Sequence, residues 1–396
     1  MISENMRNLV KNSSAIRAMF EEGKKMAAEF GPENVYDFSL GNPNVPAPDC
    51  IGKSIRDLTE EIPPMQLHGY MSNAGYEEVR EEVAASLNLR FRTDFRKENI
   101  LMTVGAAGGL NVILKTLLDP GDEVLVFAPF FGEYRSYVSN HQGVLKVVPP
   151  DAETYQLNLE AAEALITGKT KAVIINNPNN PTGAVYPEES VRQLSSLLER
   201  AEKKFGTSIY LISDEPYREL VYDGGSVPFL PRYYHNAVIG YSFSKSLSLP
   251  GERIGYLVMP DQLDDAEEVI AGAAVANRVL GFVNAPSLMQ RVVGTCLDAK
   301  VDLAFYDHNR KLLTSGLSAC GFSFVKPEGA FYLWMKSPVP DEKQFVADAK
   351  KEHILIVPGS SFAGPGYVRI AYCVAPDTIT ASMPAFRHLA EKYGLT

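Results

Sequence analysis

The sequence predicts an α/β protein: a large domain with a mainly parallel seven-stranded sheet between helices, plus a smaller α+β domain. Three observations predict it. Short apolar runs at 100–104, 123–127, 144–148, 172–176, 209–213, 238–241 and 254–258 are separated by longer stretches, with helical patterns at 77–91 and 108–118. Apolar strands spaced by helices pack into a sheet covered on both faces. After about Pro286 the pattern changes to a long helical stretch through Leu313, short strands at 331–334, 354–357 and 368–371, and a closing helix at 378–393. The length, 396 residues, exceeds the roughly 250–300 that one core holds, so two lobes are expected. The boundaries read as 1–44 for an arm and part of the small domain, 45–285 for the large domain and 286–396 for the small one.

The elements follow in order. Residues 2–30 carry apolar side chains at helix-like spacing among charges, which suggests an amphipathic arm docked elsewhere. The Pro-rich stretch from Pro43 to Pro48 then breaks regular structure. In the sheet that follows, ligands are expected beyond the carboxyl ends of the strands. Many of the residues with chemical potential lie at those ends.

Composition narrows the function classes. Hydrophobic residues at 45% and charged residues at 22% describe an ordinary globular enzyme, and a net charge of −10 argues against a nucleic-acid partner. Cys50, Cys296, Cys320 and Cys373 are scattered without a C-x-x-C pair or a His cluster at ligand spacing, so no metal is expected and the thiols suit a reducing compartment. No run approaches the ~20 apolar residues of a membrane span, and the start has no apolar signal core. A cytoplasmic protein without membrane contact is the expectation.

The chemistry concentrates in Y-S-F-S-K-S-L-S-L-P-G-E-R-I-G, residues 241–255. Lys245 follows an apolar strand, where desolvation lowers an amine's pKa and makes it a nucleophile. Ser242, Ser244 and Arg253 offer two hydroxyls and a planar cationic fork, a cradle for a phosphate monoester, although a serine-rich surface loop reads similarly. The turn T-V-G-A-A-G-G from Thr103 lies between strand and helix, where free N–H groups favour an anion. Such a turn could also open a nucleotide site, but its spacing is not G-x-G-x-x-G. The loop N-N-P-N-N-P-T-G around Asn180 is held rigid and non-helical by its two Asn-Pro steps. Asp214 follows a strand in S-D-E-P-Y, a pattern that also serves as a helix cap. Arg369, among apolar neighbours in Y-V-R-I-A-Y, requires a buried partner, either a ligand or a salt bridge.

These motifs, with G-N-P at Gly41, G-Y-x-x-x-x-G from Gly69 to Gly75 and A-P-F-F from Ala128, fall in one order along nearly the whole chain. In that order they resemble the fold-type I pyridoxal-phosphate enzymes, specifically the class I and II aminotransferases of the aspartate aminotransferase superfamily. The resemblance implies pyridoxal 5′-phosphate bound through Lys245, which also moves the substrate's Cα proton. It implies Asp214 beside the pyridine nitrogen, Tyr217 and Asn180 on the ring oxygen, Phe131 on the ring face, and Ala106, Ala107, Ser242 and Arg253 on the phosphate. Arg369 would hold the substrate α-carboxylate, with Gly41 close by. Phe131, or its neighbour Phe130, could equally be a core residue.

Tyr70 matches a tyrosine that reaches the partner subunit's site, which implies a homodimer with shared active sites, although it would also serve as an ordinary core or surface tyrosine. Arg278 precedes Asn284 much as a distal arginine precedes an Asn-Pro segment in dicarboxylate-specific relatives; here an alanine separates that asparagine from Pro286, and a surface helix arginine fits as well. The implied activity is ping-pong transfer of an amino group between an L-amino acid, aspartate among the candidates, and a 2-oxo acid. A C–S lyase or other amino-acid lyase on the same fold is the alternative, since one fold hosts several chemistries. A ligand-sensing regulator would need a DNA-binding module, and no basic recognition helix precedes Gly41.

Overall fold

The computed structural model describes residues 1–11 and 15–395. Its central sheet has seven strands: β1 (Ile100–Thr103), β2 (Glu123–Phe127), β3 (Val144–Val148), β4 (Thr170–Asn176), β5 (Tyr210–Asp214), β6 (Ala237–Ser242) and β7 (Gly255–Val258), in the order β1-β7-β6-β5-β4-β2-β3. Six of these, β1 to β6, run in one direction, and β3, β2, β4, β5 and β6 are neighbours paired in parallel. β7 runs against both of its neighbours, β1 and β6. Every residue of β2, β5 and β6 is buried, as expected where helices cover both faces of Val/Ile/Leu-rich strands. The outer strand β3 instead leaves Val144 exposed and pairs Lys146 with Glu123 at 3.1 Å, a charged edge that discourages further strand pairing.

The reversal of β7 decides where the site lies. Because β7 starts at the edge where the parallel strands end, Gly255 pairs with both Thr103 and Ser242. Three segments therefore meet at one point: the turn after β1, the lysine segment after β6, and Arg253 just before β7. On the same edge Asn176 pairs with Asp214.

A second sheet of four antiparallel strands carries Arg369, in the order Val357–Pro358, Tyr367–Ala371, Tyr332–Lys336, Phe324–Val325. The N-terminal segment is stitched to this region: Tyr36–Asp37 pairs in parallel with Ile354–Leu355, and Phe38 is buried against Phe386. The arm contains the helices Glu4–Lys11 and Ala15–Phe30.

Three sequence-based boundaries change. The helix expected from 108 starts at Gly105, so Ala106 and Ala107 occupy its first turn. The stretch 286–313 divides into helices Ser287–Gly294 and Leu303–Ala319, the second capped by Asp302, whose side chain accepts the N–H groups of Ala304 and Phe305. Met289, Val292, Val293 and Cys296 pack in the core of the large sheet, while Tyr306, Leu313 and Leu317 pack in the second core. The run 354–357 splits between two sheets, since Ile354–Leu355 and Val357–Pro358 pair with different strands. Among the described residues no helix is long and apolar enough to cross a membrane.

Candidate active site

The ends of the parallel strands open into a cleft of about 260 Å³, lined from both sheets. Gly41, Ala106, Ala107, Phe131, Asn180, Asp214, Tyr217, Ser242, Lys245, Arg253 and Arg369 all line it. Tyr70 and Arg278 do not. Tyr70 is 93% exposed, and Arg278 is exposed near the end of helix Ala266–Val279 and makes no ion pair among the described residues.

One end is built for an anion. Helix Gly105–Leu117 presents the unbonded N–H groups of its first turn, and its dipole adds positive potential. Gly105 has φ 71°, and a Cβ there would lie 2.8 Å from Arg253 Nη2, so only glycine lets the guanidinium approach the helix start. Ser242 Oγ donates to Ser244 Oγ at 2.7 Å and accepts the Ser244 N–H at 3.2 Å, which fixes both hydroxyls at the end of β6. Arg253 Nη1 donates to the Pro250 carbonyl at 3.1 Å.

Lys245 sits in the short helix Phe243–Ser246 and donates from Nζ to the Gly41 carbonyl at 2.6 Å. Burial lowers its pKa to about 8, and the positive charges of Arg253 and Arg369 act in the same direction. The amine is therefore neutral far more often than an exposed lysine's.

Asp214 ends β5 and is 6% exposed. Tyr134 donates its hydroxyl to Oδ2 at 2.6 Å, whereas Oδ1 is buried without a partner among the described residues. Burial raises the carboxyl to about 7, opposed by the Tyr134 bond and helped by Glu215. A buried carboxylate with one oxygen held and one bare is arranged to meet a cationic N–H.

The loop after β4 is fixed by its asparagines. Asn176 donates to the Asp214 carbonyl at 2.8 Å and accepts the Asn180 N–H at 2.7 Å, while Asn177 is bonded in both directions to the Tyr186 backbone at 3.0 Å. Asn180 is thus held facing Arg369, whose Nη1 donates to its Oδ1 at 3.1 Å. Arg369, 2% exposed, also donates from Nη2 to the Ser39 carbonyl at 2.5 Å, and its Nε has no partner among the described residues. No carboxylate pairs with it among the described residues, so its salt-bridge reading fails.

Phe131 lines the cleft half-buried and meets Tyr134 edge-on, with ring centroids 5.7 Å apart at 85°, while Phe130 is fully in the core. Sequence reasoning missed Tyr134 and Tyr332. The first opens the helix Tyr134–Asn140 after A-P-F-F-G-E; the second alternates with core residues in F-Y-L-W, where only the strand's face separates it from them.

Pyridoxal phosphate fits these residues, by the bare Oδ1 of Asp214 at one point and the glycine-lined helix start with two hydroxyls and a guanidinium at another. Comparison with known proteins agrees. Residues 33–383 match the family described as aminotransferase class I and II. The chain belongs to the class I and II aminotransferases. The aspartate aminotransferase of Thermotoga maritima is 31% identical over 356 residues, covering 89% of this chain and 90% of that protein. A probable aspartate/prephenate aminotransferase of Aquifex aeolicus is 31% identical over 377 residues, covering 91% of this chain and 92% of that protein. Among solved structures, an amino transferase from Eubacterium rectale superposes with a TM-score of 0.97 at 46% identity, covering 99% of both chains. The Thermus thermophilus aspartate aminotransferase with maleate gives 0.87 at 27% identity, covering 98% of this chain and all of that one. This aminotransferase is a fold-type I, pyridoxal-phosphate-dependent enzyme that moves an amino group between an amino acid and a 2-oxo acid, and its relatives favour transfer over the lyase alternative.

Proposed function

We propose that the aminotransferase uses Lys245 as covalent anchor and proton carrier, Asp214 as partner of the pyridine nitrogen, and Arg369 as the α-carboxylate site. The observation that carries this is the pair of buried, unpartnered atoms, Asp214 Oδ1 and Arg369 Nε, on a cleft that also contains a lysine of lowered pKa. When bound, pyridoxal phosphate supplies an electron sink for the charge left at the substrate Cα. Ala106 and Ala107 N–H, Ser242 and Arg253 hold the phosphate. Tyr217 and Asn180 bond the ring oxygen, and Phe131 covers one ring face. Arg369, with Gly41 close by, orients the substrate so that its Cα–H faces Lys245 Nζ, which takes the proton and returns it.

Further parts of the proposal concern assembly and substrate. Tyr70 and Arg278, exposed and away from their own cleft, serve a partner subunit's site in a cytoplasmic homodimer; four free thiols suit that compartment. The chain divides into an arm with part of the small domain at 1–44, a large domain at 45–285 and a small domain at 286–396, with helix Ser287–Gly294 packing back on the core of the large sheet. The donor is an acidic amino acid of the aspartate type, as the names of the relatives suggest, with Arg278 pairing the side-chain carboxylate. Measuring kcat/KM for aspartate and for an apolar amino acid tests this. Arg278→Leu is expected to lower the aspartate value about tenfold or more and leave the other unchanged. Equal effects on both substrates remove Arg278 from the site.

A further inference from the structure

We infer that Tyr332 is a positioning residue that sets the hydrogen-bonding direction of Tyr217. Tyr332, in the strand Tyr332–Lys336 of the second sheet, is 3% exposed and lines the cleft. Its hydroxyl lies 2.8 Å from that of Tyr217, which follows β5 of the first sheet, and either oxygen can donate. Tyr217 is buried, its ring meeting Tyr332 edge-on at 5.6 Å, so its hydroxyl has few other orientations. This inference rests on the reading that Tyr217 faces the cofactor's ring oxygen. An anionic ring oxygen accepts only, so Tyr217 must donate to it. The oxygen of Tyr217 then has lone pairs to offer and Tyr332 becomes the donor. A hydroxyl that accepts a hydrogen bond is a stronger donor itself, so the relay increases the pull on the ring oxygen.

The surroundings hold Tyr332 in place for this. The Arg369 guanidinium carbon lies 4.5 Å from its ring centroid. Its hydroxyl end passes Gly41, where a Cβ would run into the hydroxyl oxygen and lie 2.8 Å from Cζ. Gly41 is therefore needed for the aromatic passage as well as for its carbonyl contact to Lys245. One tyrosine so links the segment that receives the lysine, the arginine and the ring-oxygen donor.

The test follows the pH dependence of cofactor absorbance in the loaded protein. With a weaker donor on it, the ring oxygen keeps more negative charge, and Lys245 Nζ holds its proton to higher pH. Tyr217→Phe is expected to raise the midpoint by about one unit and Tyr332→Phe by roughly 0.3–0.5. The double variant should match Tyr217→Phe alone, because Tyr332 acts through Tyr217. A midpoint unchanged in Tyr332→Phe, or shifts that add in the double variant, overturns the inference while leaving Tyr217 in its role. A midpoint unchanged in Tyr217→Phe overturns both. Affinity for maleate, an unreactive dicarboxylate, gives a second readout: Tyr332→Phe keeps the ring beside Arg369 and should stay within about twofold, whereas Tyr332→Leu should weaken binding several-fold. A several-fold loss already in Tyr332→Phe would assign the hydroxyl to Arg369 instead and overturn the relay.

Discussion

The two ends of the cleft are built by different means. The anion end uses backbone N–H groups, two neighbouring hydroxyls and one arginine, all delivered by β1, β6 and β7 of a single sheet. The opposite end gathers Ser39 and Gly41 from the N-terminal segment, Asn180 from the loop after β4, Tyr217 after β5, and Tyr332 and Arg369 from the second sheet. Parts that share one sheet are placed by its register and stay put when the lobes shift. Parts drawn from both lobes respond to any such shift. The first arrangement suits a resident group and the second a ligand that enters and leaves each cycle.

Removing the group between the ends should have the largest effect and spare both. Lys245→Ala is expected to lower turnover by about 10⁴-fold or more while cofactor and substrate still bind, since the covalent anchor and the proton carrier are lost together. Borohydride reduction of the wild-type protein should label the Lys245 peptide; a label elsewhere would falsify the assignment.

A matched pair sharpens the contrast between the ends. Arg369→Lys loses a planar fork for a point charge and should lower kcat/KM by roughly 10–100-fold with cofactor affinity unchanged. Arg253→Lys should do the reverse, weakening cofactor retention about tenfold while kcat at saturating cofactor stays close to wild type. If both variants lost both properties equally, the ends would not be separable.

The smallest effect concerns the cofactor-free protein. Asp214 has its folded-state pKa raised from 3.8 to about 7, so the folded chain holds a proton that the unfolded chain releases. Stability therefore falls as pH rises through that window and levels off above it. Asp214→Asn has no such loss, so its melting temperature relative to wild type should climb by a few degrees between pH 4 and pH 8. A difference that does not change with pH would place the charge elsewhere.

Legibility in the sequence follows the same division. The seven strands were readable because buried parallel strands leave unbroken apolar runs, and the anion end because its residues lie within short segments, 103–109 and 241–255. Arg369 stood out as a charge among apolar neighbours, although nothing local named Ser39 or Asn180 as its partners. Tyr134 and Tyr332 were hidden for a related reason. Tyr332 in an apolar run looks like core, and Tyr134 between Glu133 and Arg135 looks like a surface residue, until the tertiary fold shows their hydroxyls meeting Tyr217 and Asp214. The start of helix Gly105–Leu117 was read three residues late because the three glycines of Gly-Ala-Ala-Gly-Gly lower its helix propensity, and tertiary placement decided the matter. The split of 286–313 depended on one cap, Asp302, inside a continuously helical pattern.

The returning strand β7 also acts as a ruler. Gly255 is locked between Thr103 and Ser242, so the ten-residue path from Lys245 to Gly255 has both ends clamped by ladder pairs or by the cleft. One residue added or removed there would have to be absorbed by rotating Arg253 off the helix start or by slipping β7, which turns each of its side chains to the opposite face of the sheet. The segment is gauged at both ends, so it accommodates changes of residue type more readily than changes of length.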